Sequence, residues 1–321
     1  MDLIFTNAKR VDQGVLHAYT LDLSFGAEEN DFELTLGANE PVLEFSAFAY
    51  IEGTEYGGIV DGMKSSTNGE TITYTGRTWH GIMDAKVLEP NAGDDYLIVS
   101  GDAHSVLSNL ITRVGLGSLF KVVEGASGIN ITNHQFARYC PFYGGVRGML
   151  AEYGAKLKIE WKDRAVYLSA VPIVDYTEAP VDGDLATLTV EQYANKVNHL
   201  VCLGKGELAD REVIHLYVDQ FGRIGNVQYY TGLDEIMTVY DNTAAESSEA
   251  LRKEAIDHLT ELVSVDVAEV NVPEADGLTY DIGDTLGAAD MRSGVRVAAT
   301  VTQKIVKINN GVVSTEYQTG G

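Results

Sequence analysis

Cysteine is nearly missing from this chain. Among 321 residues only Cys140 and Cys202 carry thiols. They lie far apart, so neither a disulfide framework nor a CxxC metal or redox motif can be written. Long apolar runs are also missing: charges break every stretch before the roughly 18 residues that a membrane-spanning helix needs. The opening MDLIFTNAKRVDQG has no basic region followed by the about 7 to 15 apolar residues of a secretory leader, so synthesis in a cytosol is expected. Basic residues are scarce: 23 Lys and Arg face 47 Asp and Glu, for a net charge of -24. Such a surface repels phosphate backbones, which argues against a nucleic-acid binder held by counterion release. It suits a surface along which DNA passes without adhering.

Motifs for chemistry are sparse as well. The histidines at 17, 80, 104, 134, 199, 215 and 258 form no HxH, HExxH or Cys-His pairing, so no metal or other cofactor is expected. The acidic stretches at 93 to 95, 182 to 184 and 281 to 284 lack the ligand ladder of a calcium loop and read as solvated turns. GKGEL and GRIGN lack the spacing of a phosphate-cradling loop. His134 and Cys140, in NHQFARYCPF, suggest a thiol and its base, but no orienting residue or oxyanion site accompanies them, so Cys140 reads as a buried thiol before proline. A pair of distant carboxylates converging as in a glycosidase stays open, because such pairs leave no local signature.

What is present is a succession of short strands, long enough in total for about two domains. Residues 1–98 alternate as half-buried antiparallel strands do, with Phe32, Leu34 and Leu36 set against Asp31, Glu33 and Thr35. An Asn68-Gly69 turn joins two of them, and a first small β-barrel is expected. At residue 100 the pattern changes. SGDAHSVLSNLITRVGLG predicts a helix with Asp102 as N-cap and Gly115 as its stop. A second helix is predicted after Pro141, through Val146, Met149, Leu150 and Tyr153, followed by the hairpin KLKIEW-KDRA-VYLSAV. Residues 99–178 thus read as an ααββ domain ending in the extended connector PIVDYTEAP. Strands resume across 179–321, read as a second β-barrel with a helical insertion at about 230–263. The helix spans about Ala245 to Leu262 and carries Leu251, Ile256, Leu259 and Leu262 near one face. The expected class is therefore mostly β with α+β insertions: two similar small barrels, an ααββ domain between them, and a helix inserted in the second.

A short internal match ties the two ends together. VDGMKSSTNGETITYTG and TQKIVKINNGVVSTEYQTG both place an Asn-Gly turn before a tyrosine that is soon followed by Thr-Gly. If it is a true repeat, one barrel occurs twice. GRTWHG, just past the first of these hairpins, gathers Arg77, Trp79 and His80. On a strand, Thr78 and His80 share one face and Arg77 and Trp79 the other. No carboxylate is placed by sequence to orient His80, Asp84 being only a weak candidate, so a structural or intersubunit role is expected.

Taken in order, GGIVDGMKSSTNGETITYTGRTWHGIM, NKVNHLVCLGKGEL, SSEALRKEAIDHLTEL and YDIGDTLGAADMRSGVRVAATVTQKIVKINNGVVSTEYQTG resemble the baseplate-hub proteins of phage and prophage tails. That family is related to the hub of contractile phages and the spike base of type VI secretion. The resemblance covers most of the chain and implies a homotrimer whose two barrels per protomer build a pseudo-sixfold ring, without catalysis. Implied partners are the tail-tube or distal tail ring, the tape-measure protein and tip or fibre proteins. The implied location is the virion tail, with a channel for DNA and no membrane insertion. Longer members continue into a needle, a fibre or a peptidoglycan-cleaving enzyme; this sequence stops at Gly321, so none of those activities is implied. Tyr74 and Trp79 in the first barrel, and Val313 and Tyr317 in the second, are the expected subunit contacts. A cell-wall hydrolase and a monomeric carbohydrate-binding module are the alternatives.

Overall fold

The computed structural model describes residues 1–66, 70–181, 187–191, 196–219, 223–263, 267–273, 279–289, 296–309 and 311–320. The Asn68-Gly69 turn and the acidic stretch at 182 to 184 lie outside them. The chain divides into two units, Met1–Leu188 with Glu269–Gly320, and Thr189–Ala268.

The first unit begins with β1 (Leu3–Thr6), β2 (Asp12–Leu16), β3 (Tyr19–Gly26), β4 (Asp31–Gly37), β5 (Phe48–Tyr50), β6 (Gly57–Ser65) and β7 (Thr71–Thr78). The alternation seen in sequence is that of β4, where Phe32, Leu34 and Leu36 are buried and Asp31 and Glu33 exposed. A short helix, α1 (Trp79–Asp84), follows without a break, then β8 (Val87–Leu88) and β9 (Ile98–Asp102). Next come α2 (Ala103–Arg113), β10 (Phe120–Val122), β11 (Asn130–Gln135), β12 (Cys140–Pro141) and α3 (Phe142–Glu152). Asp102 caps α2 by accepting from the His104 N–H, and Gly115 follows its end with φ +74°, so both predicted signals act. β13 (Ala155–Lys162) and β14 (Ala165–Pro172) form the predicted hairpin, and β10 joins β14 in parallel. The predicted connector is itself a strand, β15 (Asp175–Val181). It was not legible as one because its partner lies over 100 residues away.

β16 (Thr187–Glu191) leads out of this unit. The chain then forms β17 (His199–Leu203), β18 (Val213–Val218), β19 (Ile224–Gly225), β20 (Met237–Asp241) and α4 (Ser248–Val263). These strands make a separate four-stranded sheet, so VNHLVCLG and EVIHLYVD, expected in the second barrel, belong to it. Ala255 and Leu259 of α4 are buried in a core with Leu200, Cys202 and Leu216, with Ile256 and Leu262 packed against it, and Leu251, one turn before Ala255, is buried as well. The chain returns through β21 (Val267–Pro273), β22 (Thr285–Ala289), β23 (Arg296–Asn309) and β24 (Val312–Gly320). No helix among the described residues is long and apolar enough to cross a membrane.

One thirteen-stranded sheet organises the first unit, in the order β16-β21-β24-β23-β3-β4-β7-β6-β5-β1-β2, with β22 on β23 and β15 on β22. Among the described residues the fold is mostly β with four α-helices, and no sheet closes into a barrel. Two stretches far apart in sequence share this sheet because β23 pairs antiparallel with β3. Val306 and Ile308 of β23 accordingly complete the core formed by Leu21, Leu23, Leu34 and Tyr74. A second core runs from Phe48, Trp79 and Met83 into α2, α3, β13 and β14. The predicted helix and hairpin segments are thus packed directly onto the first strands.

Candidate functional site

GRTWHG changes structure in its middle. Thr78 ends β7 and caps α1, its hydroxyl accepting from the Gly81 N–H at 3.3 Å. The chain therefore stops alternating at Trp79, and the three side chains go separate ways. Arg77 stays on the surface, where it donates from Nε and Nη2 to Asp61 at 2.7 and 2.9 Å. That hydrogen bond holds the Asp61 carboxyl below its ordinary range. Trp79 is fully buried, stacked on Trp161 with ring centres 4.8 Å apart, and edge-on to Phe48. His80 is buried against the Phe25 ring, stacked at 4.4 Å, with Tyr143 on its edge.

The acid facing His80 is Glu55 rather than Asp84. His80 Nε2 lies 3.6 Å from Glu55 Oε2, and Lys304 Nζ donates to Glu55 Oε1 at 2.7 Å. Burial alone would raise the Glu55 carboxyl, but Lys304 and then His80 outweigh it and hold the pKa at about 2. Burial lowers His80 despite Glu55, so its ring is neutral at neutral pH. For Lys304, burial works against the charge, yet Glu55 carries the ammonium well above its ordinary value. Phe25, Tyr56 and Tyr317 present ring faces to it at 5.6 to 5.8 Å. Glu55 sits in the loop between β5 and β6 and Lys304 on β23, so the pair ties the two ends of the chain together.

A second buried charge joins the middle of the chain to its last part. Lys156 of β13 donates to both carboxylate oxygens of Asp284 at 2.7 Å and lies 2.7 Å from Asp281. Asp284, only 1% exposed, also accepts from the Val174 and Asp281 N–H groups. In the stretch at 281 to 284, Asp284 is thus buried while the Asp281 side chain stays 43% exposed; the lysine that pairs with both lies over 100 residues away and leaves no trace in the local sequence.

Between these clusters lie two clefts. One of about 250 Å³ is lined by Glu55, Tyr56, His80, Tyr143, Glu160 and Lys304. The other, of about 490 Å³, is lined by Tyr143, Arg147, Lys156, Ile173 and Ile282. A glycosidase acid needs a carboxyl raised toward neutrality, whereas Glu55 is driven the opposite way and locked to an ammonium. Among the described residues, the carboxyl that burial raises is Asp22, on β3 and outside both clefts. His134 Nδ1 donates to the Glu152 carboxylate at 2.8 Å, and its ring packs edge-on to Phe136. Burial raises the Cys140 thiol, opposite to what a nucleophile requires. In the second unit His199 bridges Glu235 and His215 at 2.6 and 2.7 Å. Among the described residues no group of three or more His, Cys, Asp or Glu is arranged to hold a metal ion.

What the sheet contains is a repeat, and it is deeper than the sequence match. β4-β7-β6-β5 and β21-β24-β23-β22 are neighbours in the same order, all antiparallel. In the β6·β7 hairpin the register shifts at Asp61, then pairs Gly62 with Thr75 and Met63 with Tyr74. In β23·β24 it shifts at Thr302, then pairs Gln303 with Gln318 and Lys304 with Tyr317. Tyr74 and Tyr317 thus hold one position, both fully buried, and each hydroxyl accepts a backbone N–H from the segment before the next strand, Leu43 and Tyr280 respectively. The glycines of the sequence match do not correspond: Thr319 stands opposite Val301 where Gly76 stands opposite Val60. One difference of topology remains, since β1 pairs with β5 antiparallel and β15 with β22 in parallel.

Tyr74, Trp79 and Tyr317 are all buried in the interior of the chain, and Val313 is half-buried against the first core. Replacing Trp79 by Phe is expected to cost about 1–2 kcal/mol of stability through the lost stack on Trp161. Chemical denaturation measures it, and an unchanged midpoint would contradict the packing.

No protein-family model matches the sequence, and no curated protein does. Solved structures do. A prophage MuSo2 43 kDa tail protein from Shewanella oneidensis aligns over 100% of this chain and 98% of its own, with TM-score 0.56 and 11% identity. A tail protein from Neisseria meningitidis aligns over 99% and 95%, with TM-score 0.53 and 11% identity. The fold is that of phage tail and baseplate proteins. A chain of the phage P2 baseplate in its activated conformation is similar as well, at TM-score 0.53, 10% identity and coverage of 100% and 99%. In each of these comparisons the alignment runs nearly the whole length of both chains.

Proposed function

We propose that the chain is a structural subunit of a phage or prophage tail tip, a hub that works by assembly and carries no catalytic site. The observation that carries this reading is the repeated strand order within a fold that aligns end to end with tail and baseplate proteins. Two similar tube-like modules, 1–98 and 179–321, would place two quasi-equivalent faces in one protomer. Three protomers then make a pseudo-sixfold ring suited to a sixfold tail tube. The 99–178 segment would decorate the ring, and the insertion at about 230–263 would extend the second module. Neighbours would be the tail-tube or distal tail ring, the tape-measure protein and tip or fibre proteins, in the virion tail, after synthesis in the bacterial host cytoplasm. The net charge of -24 would keep DNA from adhering to a central channel. Because Tyr74, Trp79 and Tyr317 are internal, their part in subunit contacts would run through the strands they hold, with Val313 nearer the surface.

Light scattering and electron microscopy of the purified chain test this. Three copies per particle, imaged as a ring with an open channel, are expected. A particle with no rotational symmetry, or a protein absent from the tail of its phage, would overturn it.

A further inference from the structure

The two halves of the large sheet meet at one edge of β23. Its first part, Arg296 to Thr300, pairs with β22, and its second part, Gln303 to Asn309, pairs with β3, Gly26 to Thr20. The junction is tight. The Ala27 N–H donates to Thr302, Gln303 Nε2 donates to Ser24 and Glu29, and a Cβ on Gly26 would stand 2.2 Å from the Thr302 carbonyl oxygen. β23 therefore uses both parts of that edge.

Its counterpart β6 uses one. β5 pairs with Gly57 to Ile59, and beyond Asp61, among the described residues, no strand lies on the edge of Gly62 to Ser65 that faces away from β7. Burial follows the difference. Gln303, Lys304 and Val306 are at most 4% exposed, whereas Met63, at the position of Lys304, is 47% exposed and Lys64 and Ser65 are exposed. An unpaired run of backbone donors and acceptors is a template for another strand.

The strand that fits it is at the far end of the same sheet. β16 lies next to β21 as β3 lies next to β4, and among the described residues no strand occupies its outer side. Its Thr187-Leu188-Thr189-Val190 repeats the pattern of Thr20-Leu21-Asp22-Leu23 in β3. We propose that β16 of one copy of this chain pairs antiparallel with Gly62–Ser65 of the next, reproducing between copies the β3·β23 junction found within one. The contact is head to tail, so it propagates from copy to copy until a ring closes. In the register of the internal junction, where Ser24 stands opposite Ile305, Lys64 faces residue 191 of the neighbouring copy. The inference rests on the self-assembly proposed above and specifies its surface.

Cysteine cross-linking tests it. Lys64→Cys and Glu191→Cys are made singly and together, checked for unchanged circular dichroism, and oxidised at high protein concentration with the unmodified chain, which retains Cys140 and Cys202, as blank. The double variant is expected to give a ladder of covalent multimers. An equal mixture of the two single variants is expected to give covalent dimers, and either alone none above the blank. Oligomers by light scattering with no covalent species would overturn this junction and leave self-assembly standing. Cross-linking of either single variant alone would overturn the head-to-tail pairing. A sample that stays monomeric and uncross-linked would overturn both the junction and the assembly behind it.

Discussion

Gly76→Ala is expected to give no folded protein, while Gly320→Ala melts close to the parent. Both glycines follow the repeated tyrosine, yet only one is compressed. A Cβ on Gly76 would stand 1.9 Å from the Ile59 carbonyl oxygen, which cannot move without parting β6 from β7, and 2.9 Å from the Phe32 ring. Gly58 is in the same position from the other strand, 2.2 Å from the Arg77 carbonyl oxygen and 2.9 Å from that same ring. The two glycines let Phe32 lie across the hairpin at the point where its register shifts. Because backbone would have to give way, the cost exceeds about 4 kcal/mol, near the whole stability of many domains. At Gly320 the nearest atom is a side-chain methyl of Thr302 at 3.1 Å, which a small rotation relieves. Soluble yield and thermal melting of both variants check this; a Gly76→Ala protein that melts like the parent would refute it.

Glu55→Gln is expected to cost about 3–5 kcal/mol, because it leaves the Lys304 ammonium buried without its counter-charge. Lys304 is 4% exposed, and the three surrounding ring faces do not replace a carboxylate 2.7 Å away. The double variant Glu55→Gln with Lys304→Met should recover much of that loss, since an apolar side chain of similar length has no charge to desolvate. The pair also sets an acid limit. The Glu55 carboxyl is depressed from 4.5 to about 2 in the folded state, so its contribution is fully present above the unfolded value and is lost as pH falls through that interval. The shift corresponds to about 3 kcal/mol at most. Denaturation midpoints between pH 5 and 2 should therefore fall steeply for the parent and less for the double variant. Equal slopes would exclude Glu55 as the titrating group.

Much of the local structure is legible because it depends on neighbours in sequence. The Asp102 cap, the Gly115 stop, the alternation of β4 and the β13·β14 hairpin were all foreseen from short-range patterns. GRTWHG was not, since a threonine ending a strand and a threonine capping a helix look alike until the Thr78 hydroxyl finds the Gly81 N–H. The candidate site was less legible still. His80 meets Glu55 and Lys304, and Lys156 meets Asp284, through contacts spanning up to 249 residues, and no periodicity records such pairings.

The sequence by itself determined a mostly β chain, its two predicted helices before the β13·β14 hairpin, its acidic surface, and a tyrosine-bearing hairpin occurring twice. Those properties follow from side-chain period, capping and charge, which act over a few residues. Only the tertiary structure decided that the repeat includes the flanking strands, that the two copies share one sheet through β3 and β23, and which half-edge of β6 has no partner strand among the described residues. Strand neighbours are chosen by burial and backbone pairing across the whole chain, and neither the ladder nor its free edge exists until the chain has folded.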